Sequence, residues 1–141
     1  MVILDTHIWI WLMNGDERIK KAGFVPVIQR AVKKSTIKIA SISLWEVAML
    51  AARGKISLAE GARDWIIKAL SAPGITVCPL TPEIAVDSTS LPGKFHGDPA
   101  DRMIVASTRV LNATLLTLDQ QILEYAACGH VKVLRPKNPG Q

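Results

Sequence analysis

Cysteine is scarce in this chain, with two thiols, Cys78 and Cys128, in 141 residues. That is too few for a disulfide-stapled scaffold, and Cys78 lies inside the apolar run ITVCPL, so both read as small free thiols. Histidine is equally sparse, and His7, His96 and His130 lack the i, i+4 spacing of a helical zinc pair, which argues against a zinc site. No apolar stretch reaches the ~20 residues of a membrane span. The longest early run, Ile8 to Met13, gives way at once to Asn14, Gly15 and Asp16. The opening MVIL meets Asp5 with no basic lead and no small-residue cleavage site, so a cytosolic location is the simplest expectation. Internal repeats and low-complexity segments are also missing.

What is present suits one globular domain. A chain this long buries roughly two-thirds of its unfolded surface and needs no staple. Hydrophobic residues make up 49% and charged residues 21%, an ordinary balance for a large core. We expect a domain over residues 1–134 and a polar tail, RPKNPGQ, over 135–141. Net charge is +5, from 17 Lys and Arg against 12 Asp and Glu. Such an excess favours polyanions without identifying one.

Apolar runs alternate with helical patterns along the chain. Met1 to Leu4 reads as a strand, followed by a helix that is apolar nearly all round (Ile8 to Met13) and therefore buried or partnered. A basic helical stretch runs to about Lys34, broken by Gly23 and Pro26. Ile37 to Ala40 is a second strand, and the next helix carries a stripe at Leu44, Val47, Ala48 and Ala51 and ends at Gly54. Leu58 to Leu70 fits a helix, Ile75 to Leu80 a third strand, and Thr81-Pro82 the start of a short helix. LPGKFHGDP (Leu91 to Pro99) is a shaped loop, and the helix after it should bury Met103, Ile104, Ser107, Val110 and Leu111. Thr114 to Leu118, Gln120 to Ala127 and Val131 to Leu134 complete the series as strand, helix and fifth strand. This alternation predicts an α/β protein, a three-layer α/β/α sandwich around a mainly parallel five-stranded sheet. In such sheets ligands sit beyond the carboxyl ends of the strands, where strand order reverses. The first and fourth strands would be neighbours there.

Asp5, Glu46, Asp101 and Asp119 each fall where a strand gives way to a helix or in a helix's early turns. On a parallel sheet they would gather at one rim, and gathered carboxylates bind hard cations such as Mg²⁺ or Mn²⁺. Metal ions so held activate water and stabilise the leaving oxygen in phosphodiester hydrolysis. Helix capping accounts for each acid singly: Asp5 before the first helix, a Ser43/Glu46 capping box, Asp98-Pro99-Ala100-Asp101 at a helix start, and Asp119 before Gln120.

The strings LDTH, SISLWEVAMLAARGKISL, LTPEIAVDSTSLPGKFHGDPADRMIVAST and TLLTLDQQI, in order from about Val2 to Leu134, resemble the PIN-domain ribonucleases of the VapC toxin type. The family's strand-end Asp falls on Asp5, its helix Glu on Glu46, the Asp before the R-[LM]-I-[VA]-A run on Asp101, and the Asp of the T-x-D motif on Asp119. Asp98 matches an added acid of a D-P-x-D-R subgroup, as a supporting or supplementary ligand. Thr6 and Thr117 would orient carboxylates or waters. Lys94, His96 and Arg102 flank the acids as candidate RNA-phosphate contacts, with a solvated role as the alternative. The resemblance implies the α/β/α sandwich, Mg²⁺ or Mn²⁺ dependence, endonucleolytic RNA cleavage, homodimerisation, and neutralisation by an antitoxin lying along Trp9, Trp11, Trp45 and Met49. Core or dimer packing competes for those four side chains.

Two other functions compete with the ribonuclease. One is a phosphatase or phosphotransferase with Asp5 as nucleophile; such haloacid-dehalogenase-like sites carry a second Asp two residues on, where this chain has His7. The other is an RNA-binding PIN-like module that no longer cuts, against which the intact acids argue.

Overall fold

Four short strands, all parallel, lie in the order β3-β2-β1-β4, in a computed structural model that describes residues 1–137. They are β1 (Val2–Leu4), β2 (Ile37–Ala40), β3 (Ile75–Cys78) and β4 (Thr114–Leu116). Residues 138–141, the end of the expected tail, lie outside the described residues. The chain lays β1, β2 and β3 down in one direction and returns to add β4 on the other side of β1. The order therefore reverses between β1 and β4, whose register is Val2 to Thr114, Ile3 to Leu115 and Leu4 to Leu116. The expected neighbours are neighbours.

The expected fifth strand is a correction. Val131 to Leu134 makes one parallel bridge, Val133 to Leu115, closed by the Leu115 N–H donating to the Lys132 carbonyl (2.9 Å) and the Leu134 N–H to the Leu115 carbonyl (3.0 Å). Among the described residues the sheet has four strands. A β4 of three residues offers little ladder to extend, and the chain then turns aside: Leu134 packs on the core and the Lys137 N–H donates to the Ala22 carbonyl (2.8 Å).

Helices cover both faces. One layer holds α1 (Thr6–Met13), α2 (Arg18–Lys21), α3 (Val25–Lys33), α4 (Ser41–Ala52) and α5 (Ala62–Leu70). The other holds α6 (Pro82–Thr89), α7 (Pro99–Val110) and α8 (Gln120–Ala127). The period of two along a strand sends alternate side chains to the two layers. Leu4, Ile39 and Leu116 join Ile8, Trp9, Val47 and Trp65 in one core, while Ile3, Ala40 and Leu115 join Ile84, Ile104, Ile122 and Tyr125 in the other.

Several boundaries move for physical reasons. Gly23, at φ +79°, ends the α2 stretch, but Pro26 sits in the first turn of α3, where its missing N–H costs nothing. The third strand stops at Cys78 and the fourth at Leu116, each shorter than expected. α5 starts at Ala62, with Gly61 as its N-cap, and Leu58 packs on the core from the irregular segment before it. α7 lies against both the sheet and α6, so it buries Ile104, Val105, Ala106, Ser107 and Thr108 in a wide arc and leaves Val110 at 40% exposure. Among the described residues no helix is long and apolar enough to cross a membrane.

Candidate active site

Asp5 stands where β1 ends and α1 begins, at the point of strand-order reversal. It is buried, and both carboxylate oxygens are held: Oδ1 accepts from the Thr6 N–H (2.8 Å) and Oδ2 from the Thr117 hydroxyl (2.6 Å). Thr117, just past β4, also accepts the Asp119 N–H at its Oγ1 (2.9 Å). One hydroxyl thus ties the ends of two adjacent strands to two acids. Asp119 caps α8 through the Ile122 N–H (3.0 Å), and Asp98 caps α7 through the Asp101 N–H (3.0 Å). Capping and site formation therefore coexist in Asp5, Asp98 and Asp119.

Glu46 is different. α4 begins at Ser41, directly after β2, so Ser43 and Glu46 lie inside the helix and form no capping box. Three residues apart, they share one face. The Thr6 hydroxyl donates to Glu46 Oε1, which leaves it to accept from Ser43 Oγ at 2.9 Å. Sequence reasoning placed Ser43 only in a cap; its position three residues before Glu46 was the available signal for a site role.

Asp5, Glu46, Asp98, Asp101 and Asp119 all line one cleft of about 330 Å³, completed by His7, Ile8, Trp11 and Leu118. For Asp5, Glu46 and Asp101 such crowding disfavours ionisation. Burial, then the charges of Asp5, Asp98, Asp119 and Glu46, push the Asp101 carboxyl up to about 8. Burial also raises Glu46, partly offset by the Thr6 hydroxyl and reinforced by Asp5 and Asp98. Asp5 is raised by burial against the opposing hydrogen bonds of Thr117 and Thr6. The positive ends of α1, α7 and α8 begin beside these acids and partly offset the repulsion.

Among the described residues no three His, Cys, Asp or Glu side chains enclose a point tightly enough to hold an ion unaided. An open array of carboxylates is still the donor set that suits Mg²⁺ or Mn²⁺, which keep several waters and take few protein oxygens. Each Asp5 oxygen retains a lone pair after its hydrogen bond. The residues fit a hard divalent cation.

The flanking residues divide. Lys94 is exposed. Arg102 clasps the loop before α7: Nε donates to the Ser88 carbonyl (2.8 Å), and Nη1 to those of Phe95 (3.2 Å) and His96 (3.3 Å). His96 Nδ1 accepts from the Asp98 N–H (3.3 Å), and Nε2 lies 3.1 Å from Asp101 Oδ2 with its N–H off the line of a good hydrogen bond.

The aromatics divide as well. Trp9 is fully buried, edge-on to Trp65 at 5.2 Å, and belongs to the core. Trp11 borders the acid cleft with the Arg18 guanidinium 4.0 Å above its ring. Trp45, 56% exposed, lines a second groove of about 450 Å³ with Ile42, Met49 and Arg53. Glu46 and Asp98 line both cavities, so groove and cleft adjoin.

Known proteins resemble this chain in sequence and in fold. The PIN domain family model matches residues 2–127. Ribonuclease VapC22 of Mycobacterium tuberculosis is 31% identical over 121 residues, covering 86% of this chain and 88% of that protein. VapBC2 from Rickettsia felis, solved bound to a DNA fragment from its promoter, superposes with a TM-score of 0.69 at 19% identity, covering 97% of this chain and 100% of that one. A toxin-antitoxin complex from Klebsiella pneumoniae gives a TM-score of 0.59 at 20% identity over 86% and 90% of the two chains. At such identities the structural likeness speaks for the fold, and the family rests on the sequence matches: the chain belongs to the PIN-domain family, in its VapC-like branch.

Proposed function

We propose that this chain is a metal-dependent endoribonuclease and the toxin of a toxin–antitoxin pair acting in the cytosol. One observation carries the reading: Asp5, Glu46, Asp101 and Asp119, from four separate elements, face one cleft at the strand-order reversal. In this reading those four carboxylates hold Mg²⁺ or Mn²⁺, with Asp98 as a supplementary ligand. The bound cation supplies Lewis-acid activation of the scissile phosphate and of the attacking water. The protein's own part is to hold the carboxylates still. Thr117 and the Thr6 N–H fix Asp5, and the Thr6 hydroxyl, backed by Ser43, fixes Glu46. Leu118, Trp11 and Ile8 form the apolar margin of the cleft, and exposed Lys94, in the loop before α7, is the candidate contact for RNA phosphates.

An antitoxin segment lying in the Trp45 and Met49 groove would reach the acids past Glu46 and Asp98, which supports neutralisation by occlusion. Homodimerisation rests on the family resemblance and on exposed apolar side chains such as Leu80 and Val86.

Purified protein should cleave single-stranded RNA with Mg²⁺ or Mn²⁺, stop on addition of EDTA, and lose cleavage in Asp5→Asn and Asp101→Asn. Equal cleavage by wild type and both variants would expose a contaminant and sink the assignment. A phosphoryl group trapped on Asp5 would favour the phosphotransferase, against which both hydrogen-bonded Asp5 oxygens already count. RNA bound but never cut, with metal present, would favour a binding module.

A further inference from the structure

The loop between α6 and α7 carries no regular structure, yet it is tied down at each step. The Tyr125 hydroxyl donates to the Pro92 carbonyl, and Gly93, at φ +66°, lies so close to the His130 ring that a Cβ there would sit 2.8 Å from Nε2. The Phe95 ring packs 4.7 Å from Tyr125 on one side and 4.4 Å from His96 on the other. Arg102 then draws the carbonyls of Phe95 and His96 toward the end of α6 at Ser88. Carbonyls are satisfied this way where water cannot serve them, and the planar guanidinium fork suits several acceptors at once.

The imidazole at the loop's end is consequently fixed in place and in tautomer. Its Nδ1 accepts the Asp98 N–H, so the ring proton resides on Nε2, the nitrogen 3.1 Å from Asp101 Oδ2. A carboxylate held at one oxygen by a neutral N–H presents the other in a defined direction, as outer partners of ligating groups do.

We infer that Arg102 is a positioning residue: by clasping the loop it holds the His96 Nε2–H against Asp101 and so aims the free Asp101 oxygen into the cleft. The inference rests on the ribonuclease reading and adds to it two residues that touch neither cation nor RNA. It removes Arg102 from the phosphate-contacting surface and makes the loop a preformed wall. His96 acts here as a hydrogen-bond donor.

The test uses the full chain and Mn²⁺ alone as probe, by calorimetric titration, beside nitrogen-15 spectra of the imidazoles. Arg102→Met and His96→Phe should each weaken Mn²⁺ binding by about 10-fold or more. The double variant should be no weaker than either single one, because both remove the same interaction. His96→Gln, whose amide nitrogen takes the place of Nε2, should recover most of the loss. The wild-type spectrum should show His96 as the Nε2–H tautomer, and Arg102→Met should average it toward a mixture. Wild-type Mn²⁺ affinity in His96→Phe, additive losses in the double variant, or an unchanged tautomer in Arg102→Met would each overturn the clasp. A wild type that neither binds Mn²⁺ nor cuts RNA would remove the nuclease reading itself, and the clasp with it.

Discussion

Replacing Asp101 by Asn should stabilise the protein while destroying its proposed activity. Asp101 titrates near 3.8 as a free side chain and is pushed up to about 8 in the fold by burial and four neighbouring acids. Between those values the folded state keeps a proton that the unfolded chain releases, so metal-free stability falls as pH rises through the window. The slope approaches about 1.4 kcal/mol per pH unit for one such group. Asp101 keeps 18% of its side chain exposed, and screening and relaxation reduce the full-window sum to on the order of 2–3 kcal/mol. Urea unfolding in EDTA, followed by the buried Trp9 and Trp65, reads the effect at about pH 5 and at about pH 8, the latter near the upper end of the window. Wild type should lose stability across that interval. Asp101→Asn should lose less and be the more stable protein at the alkaline end. A residual slope should remain, because Asp5 and Glu46 are raised in the same sense. Mn²⁺ should restore the wild type at high pH and do much less for the variant. A variant no more stable than wild type at the alkaline end in EDTA would refute the argument that these carboxylates strain the empty cleft.

Thr117→Val removes a hydroxyl that donates to buried Asp5 and accepts from the Asp119 N–H, and should cost about 1–3 kcal/mol in urea unfolding along with weaker Mn²⁺ binding; no change in either would deny it a supporting role. Trp9→Ala should cost about 3–5 kcal/mol, whereas Trp9→Phe should cost clearly less because it also discards a buried indole N–H that has no acceptor among the described residues. Equal losses in the two variants would contradict that account. Gly74→Ala should cost more than about 1 kcal/mol, since Gly74 sits at φ +79° with a prospective Cβ 2.8 Å from the Val32 backbone; an unshifted unfolding midpoint would mean that α3 yields easily at that point.

The strands and the rim were legible because their signals are local. Ile37 to Ala40 is mostly apolar and bounded, and the capping chemistry of Asp5, Thr81 and Asp119 marks helix starts that the fold keeps. Val131 to Leu134 has the same local signature, but whether a strand forms depends on a partner, and β4 is too short to supply a ladder. Arg102 shows another limit. A cation beside acids reads as surface charge, and only the return of the loop past Ser88 turns its guanidinium inward. Trp9, Trp11 and Trp45 look alike in sequence and end in the core, beside the cleft and in an open groove, because positions two apart on α1 point in different directions and α4 presents Trp45 outward. Ser43 needed knowledge that α4 starts directly at the end of β2.

The bond from Thr117 to Asp5 joins positions 112 apart in the chain. An elongating polypeptide therefore carries Asp5 and Glu46 long before it has the strand that seats them, and contacts of such long sequence separation form late. The acid cleft is therefore incomplete until Thr117 and Asp119 have been added, so under the proposed function no fragment ending before β4 should cut RNA.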